Sequence, residues 1–118
     1  MLNLNSLMLG SQDPQKLSDF YTKVIGKAPD MTEDNWFGWS VGACFFSLGF
    51  HSEVQDQSKE PARIMFTFET TEVQSEFDRI LALGAKEIKA PYSMGGMLLA
   101  TLADPDGNYF QLMTPWKA

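Results

Sequence analysis

The sequence predicts an α+β protein made of two copies of a strand, helix and further strands (βαβββ). Three observations lead there. Two helical stripes of apolar residues each follow an apolar strand, each stripe is followed by further short strands, and the two halves superpose at a fixed offset. Met8 and Met65, Ser18 and Ser75, Asp19 and Glu76, and Phe20 and Phe77 all stand 57 residues apart. A β-α-β-β-β unit cannot close its own sheet, and a repeat gives each unit a neighbour.

The first strand falls over residues 4–11. Asp13 then offers a side-chain oxygen to free helix amides, and Pro14 suits the first helical position because its missing N–H costs nothing there. Leu17, Phe20, Tyr21, Val24 and Ile25 follow at i, i+3, i+4, i+7 and i+8, one face that must be buried, and Gly26 ends the helix. Short strands are expected over residues 36–40 and 43–48. A polar stretch over residues 51–61 has no periodicity and reads as a linker. The second unit begins with a strand over residues 64–69. Its helix is expected to start at Thr71, with Gln74 completing a capping box, the stripe Val73, Phe77, Ile80 and Leu81, and Gly84 as its stop. Strands over residues 87–89, 97–103 and 108–113 complete it. The chain is thus expected to be one domain, residues 1–118, with module one over about residues 2–50 and module two over about 62–114.

Composition narrows the classes of function. Cys44 has no second cysteine to bridge to and lies in an apolar run, where an inert thiol is expected. The one histidine, His51, stands outside that run, and no nucleophile calls for it. The net charge of -6 and sequence pI near 4.6 repel phosphate backbones and anionic lipid, which argues against nucleic-acid and membrane-surface roles. With no basic leader and no apolar run of about 20 residues, a cytoplasmic location is expected. The partner is then a small molecule or a second copy of the chain.

The blocks Leu7-Met8-Leu9-Gly10-Ser11-Gln12-Asp13-Pro14, Ser18-Asp19-Phe20-Tyr21, Ile25-Gly26 and Asp104-Pro105-Asp106-Gly107-Asn108 resemble the glyoxalase, bleomycin-resistance and extradiol-dioxygenase superfamily, the vicinal oxygen chelate proteins. The resemblance covers nearly the whole chain. It implies paired βαβββ modules whose curved mixed sheets, half-barrels, surround a pocket, and it implies a homodimer. In metal-using members, ligands come from the first strand of each module and the last strand of at least one. Transferred on the matched blocks, those positions are Ser6, seven residues before Asp13; Arg63, its counterpart at the repeat offset; Gln111, four after Gly107; and Phe46, four after Gly42.

None of the four is an imidazole or a carboxylate, the donors a divalent cation needs. Arg63 would also repel a dication about 4 Å away by several kcal/mol at an effective dielectric near 20. No metal and no cofactor are therefore expected. Gln111, between Phe110 and Leu112, needs a partner or a ligand for its amide. Together with Arg63 it suits an anionic or carbonyl-bearing ligand. Trp36 and Trp39 are three apart around Gly38 and share one strand face only if the glycine marks a bulge. With Tyr92 in the 91–96 loop and Trp116, they are candidates for an aromatic lining. The reading is a metal-independent small-molecule-binding dimer that sequesters or senses its ligand, its binding residues Ser6, Trp36, Trp39, Phe46, Arg63, Tyr92 and Gln111, with catalytic residues unassigned. The alternatives are a lyase, isomerase or dioxygenase with an altered metal site, and a protein-interaction module.

Overall fold

Two residues before the cap of each helix, a hydroxyl accepts the capping residue's amide. Ser11 Oγ takes the Asp13 amide at 3.1 Å, and Thr70 Oγ1 takes the Glu72 amide at 3.0 Å. The computed structural model describes residues 1–116. In module one, helix α1 (Pro14–Ile25) starts with the Asp13 carboxylate accepting from the Lys16 amide at 3.2 Å, and it stops at Gly26, whose φ of 90° is the left-handed conformation that closes a helix. In module two, helix α2 (Val73–Ala82) is capped by Glu72 with no side-chain cap bond. The expected Thr71–Gln74 capping box does not form. The start lies one residue later, so Gln74 sits too near the cap to reach back and bonds Asp78 at 3.0 Å instead.

Module one carries β1 (Ser6–Ser11), β2 (Met31–Glu33), β3 (Trp36–Val41) and β4 (Cys44–Phe50), arranged β1-β4-β3-β2. Module two carries β5 (Phe66–Glu69), β6 (Lys86–Met94), β7 (Met97–Ala103) and β8 (Tyr109–Met113), arranged β5-β8-β7-β6. In each mixed sheet the first strand pairs parallel with the last, and the other pairings are antiparallel. The architecture is α+β, two βαβββ modules of one wiring. Two elements differ from expectation. β2 is short, exposed and without apolar alternation, so nothing in its sequence marks it. β6 runs through Pro91 and Tyr92, which the sequence reading put in a loop. It tolerates the proline because it is an edge strand with register shifts between Glu87 and Lys89 and between Lys89 and Tyr92.

Each helix covers one face of its own sheet. Leu17, Phe20, Tyr21 and Val24 of α1 are buried, as are Phe37, Trp39, Phe46 and Leu48 on the strands of the same module. The Tyr21 and Phe46 rings meet edge to face at 4.9 Å, and Trp39 and Phe46 at 5.7 Å. In module two, Val73, Phe77 and Ile80 of α2 are buried together with Ala100, Leu102, Phe110 and Leu112. Each fully buried large side chain contributes roughly 1.5–3 kcal/mol. The chain divides into two compact units between Asp56 and Gln57. Before the break, the His51 amide donates to the Ser11 carbonyl. After it, Gln57 Nε2 donates to the Pro105 carbonyl and the Ser58 amide to the Asp106 carbonyl, both at 2.9 Å.

Candidate functional site

The strand β8 enters from a turn held by one carboxylate. Asp104, nearly buried, accepts from the amides of Asp106 and Asn108 at 2.9 and 3.0 Å and from Asn108 Nδ2 at 3.0 Å. Gly107 supplies the positive φ of 82° that the turn requires. From there Phe110 and Leu112 point to the core under α2, and strand alternation directs Gln111 to the opposite, open face. Gln111 is half-buried, and the Thr67 hydroxyl donates to its Oε1 at 3.2 Å.

The ladder extends this pair across the whole sheet. Thr67 lies beside Gln111, Gln111 beside Thr101, and Thr101 beside Lys89, so four polar side chains from β5, β8, β7 and β6 form one row on the open face of module two. Thr101 is 7% exposed, and no enclosed side-chain polar atom among the described residues lacks a partner, so its hydroxyl opens outward. The Lys89 ammonium stands 4.1 Å over the Tyr92 ring, a cation–π contact. Tyr92 pairs with Leu99 one step along the same face.

The open face of module one has a different character. Its corresponding row reads Met8, Ser47, Gly38 and Met31. Trp36 and Phe45 stack at 6.0 Å and 28° above Gly38, where any Cβ would collide with both rings. Ser47 donates to the Leu7 carbonyl at 3.4 Å. Ser6 lies at the end of this face, beside Phe45, in a shallow depression of about 450 Å³ that Ser40 and the 42–44 turn also line.

Of the residues expected to bind a ligand, Ser6 and Trp36 lie on the open face of module one, and Gln111 and Tyr92 on that of module two. Trp39 and Phe46 do not: both face α1 in the core, and Trp39 Nε1 donates to the Lys27 carbonyl at 3.0 Å. The β3 register is regular, so Trp36 and Trp39 fall on opposite faces, with no bulge at Gly38. Arg63 precedes β5 in an exposed turn and pairs with Glu60 at 3.2 Å. Trp116 is exposed at the C-terminal end of the described residues. Lys89 and Thr101, which the sequence does not single out, join Gln111 in the polar row, and the signal that finds them is strand alternation carried across a correct register.

The caps correct the transfer of positions between modules. Asp13 and Glu72, like Ser11 and Thr70, are 59 residues apart, not 57. Met65 therefore matches Ser6, and Thr67 matches Met8. Met8 pairs with Ser47 and Thr67 with Gln111, which makes Ser47 the counterpart of Gln111.

The family model for the glyoxalase-like domain matches residues 6–113. The chain belongs to the vicinal oxygen chelate superfamily. Solved structures agree in fold with this glyoxalase-like protein. A glyoxalase-related enzyme from Fulvimarina pelagi is 18% identical with a TM-score of 0.81, over 98% of this chain and 89% of that one. A glyoxalase/bleomycin resistance protein/dioxygenase family enzyme from Burkholderia phytofirmans PsJN is 22% identical with a TM-score of 0.79, over 96% and 98%. The fosfomycin resistance protein FosX from Listeria monocytogenes is 15% identical with a TM-score of 0.71, over 98% and 93%. No curated protein matches the sequence.

The superfamily implies a metal, and the residues of this glyoxalase-like protein do not fit one. The four matched strand positions are Ser6, Ser47, Met65 and Gln111, which offer two hydroxyls, a thioether and a neutral amide whose oxygen is already bonded. Among the described residues no three His, Cys, Asp or Glu side chains are grouped to hold an ion. A divalent cation needs several converging imidazole or carboxylate donors.

Proposed function

We propose that this glyoxalase-like protein binds a small molecule without a metal, as a cytoplasmic homodimer that sequesters or senses its ligand. The observation that carries the reading is the donor set Ser6, Ser47, Met65 and Gln111, which has the superfamily's strand positions but no imidazole or carboxylate. A small-molecule site uses apolar and aromatic surface with a few placed polar groups. The open face of module one presents Trp36, Phe45, Met8 and Met31, and that of module two presents Thr67, Gln111, Thr101 and Lys89 beside Tyr92. The resistance named for FosX is compatible with a protein that handles a small bioactive compound. The dimer is supported by the resemblance and by the exposed apolar side chains Leu2, Leu4, Ile64 and Met65.

Elemental analysis of protein purified without chelators tests the metal-free reading. The expected result is less than about a tenth of an equivalent of zinc, nickel, manganese or iron, the level of a protein with no dedicated ligand set. A stoichiometric metal overturns it. Light scattering on a sizing column is expected to give twice the 13.2 kDa of one chain.

A further inference from the structure

The hydrogen bond between Thr67 and Gln111 has a direction, and the direction sets what the row can recognise. Thr67 gives its hydroxyl proton to Gln111 Oε1 at 3.2 Å, so the oxygen end of the amide is occupied and the Nε2 end is left to donate. Among the described residues Nε2 has no protein partner. The next residue in the row, Thr101, has a hydroxyl free to donate, and the row ends in the Lys89 ammonium, which only donates. Neighbouring strands stand roughly 5 Å apart, so Gln111 and Thr101 fall within reach of one small oxyanion, and the flexible lysine stem closes on it from the third strand. No carboxylate belongs to this row.

We infer that the row Gln111, Thr101 and Lys89, with Thr67 orienting the amide, is the recognition site for an oxyanion head group, a carboxylate or a phosphonate, on the ligand. Lys89 takes the part that the sequence reading gave to Arg63. The neighbouring Tyr92 and Leu99 then meet the first apolar atoms beyond the head group. Because the protein carries a net charge of -6, selection of an anion must come from these local donors and not from the overall field. The inference rests on the metal-free binding reading and adds the ligand's head-group chemistry to it.

The test uses three probes of one shape, benzoate, phenylphosphonate and benzamide, titrated into the ¹⁵N-labelled full chain while the Gln111 side-chain amide signal is followed. One or both anions are expected to shift that signal saturably and to bind about 10-fold tighter than benzamide, the difference between a charge-assisted and a neutral hydrogen bond. Benzoate and phenylphosphonate distinguish a carboxylate from a phosphonate site. Lys89→Met is expected to weaken anion binding until it no longer exceeds that of benzamide, with Lys89→Arg restoring the preference. Thr67→Val frees the amide to turn and is expected to reduce the preference severalfold. Benzamide binding as tightly as the anions to the parent chain, anion affinities in Lys89→Met equal to those of the parent, or no response at Gln111 to any probe each overturns the head-group assignment. The metal-free reading is judged separately by the metal content, so the two can fail independently.

Discussion

Asp104 shows how much one side chain can hold. Its carboxylate, 6% exposed, is the shared acceptor for two backbone amides and the Asn108 amide, and it shapes the turn from which Gln111 is aimed. Removing it leaves those donors without their acceptor at the mouth of β8. Asp104→Ala is therefore expected to cost about 3 kcal/mol in urea unfolding, at the upper end for a single polar site. Trp39 is a contrasting residue, an aromatic with the look of a ligand platform that serves the core. Trp39→Phe keeps most of the packing but leaves the Lys27 carbonyl without its donor at 3.0 Å. It is expected to lose about 1–2 kcal/mol of stability. Benzoate and phenylphosphonate affinities are expected to stay unchanged in the same variant, because Trp39 lies on the helix-covered face of module one.

The elements most exposed to failure are the edge strands, and β2 depends on a device its own sequence does not advertise. Asp30, just before it, accepts from Lys27 Nζ at 2.9 Å and from the Ser40 amide at 2.7 Å, while its own amide donates to the Gly38 carbonyl at 2.8 Å. The Lys27 hydrogen bond first, and the Ser40 amide second, favour the ionised carboxylate and lower its pKa below the ordinary 3.8. A carboxyl that ionises more readily in the folded chain stabilises the fold fully above its unfolded value, and that contribution disappears as pH falls through the lower folded value. Asp30→Asn is expected to unfold at lower urea than the parent at pH 7, and the gap should close below about pH 4. Urea midpoints taken from pH 7 to pH 2.5 check this, and a gap that widens with acid contradicts it. Legibility divides at this same level. Both helices, the first and last strands of each module and the repeat itself follow from stripes, caps and Gly-bounded runs. β2 does not, having three exposed residues. The site positions follow the helix starts: α2 begins two residues later relative to its matched residues, so the 57-residue offset shared by Met8 and Met65 and by Phe20 and Phe77 points to Arg63, where the caps point to Met65. One residue of error in the last strand exchanged Ser47 for Phe46, and in a strand one residue reverses the face.

Over the whole molecule, the two modules share one wiring and differ in what they present. The open face of the first is methionine, aromatic and glycine, and that of the second is a row of donors ending in a lysine. The four matched strand positions carry no imidazole or carboxylate, and thermal stability in added metal and in EDTA tests whether the chain holds an ion. A metal held by the native fold and not by the unfolded chain adds about 2.7 kcal/mol when its concentration is 100 times its Kd. In a chain of 118 residues that raises Tm by roughly 10 °C. His51 and Cys44 are the only imidazole and thiol in the sequence, and the Ser6, Ser47, Met65 and Gln111 positions add no carboxylate. Zinc, nickel or manganese in excess, and EDTA in turn, are therefore each expected to move Tm by less than about 1 °C. A fall of several degrees in EDTA, reversed by one added metal and not by the others, would mean that the chain assembles a metal site from donors other than those strand positions.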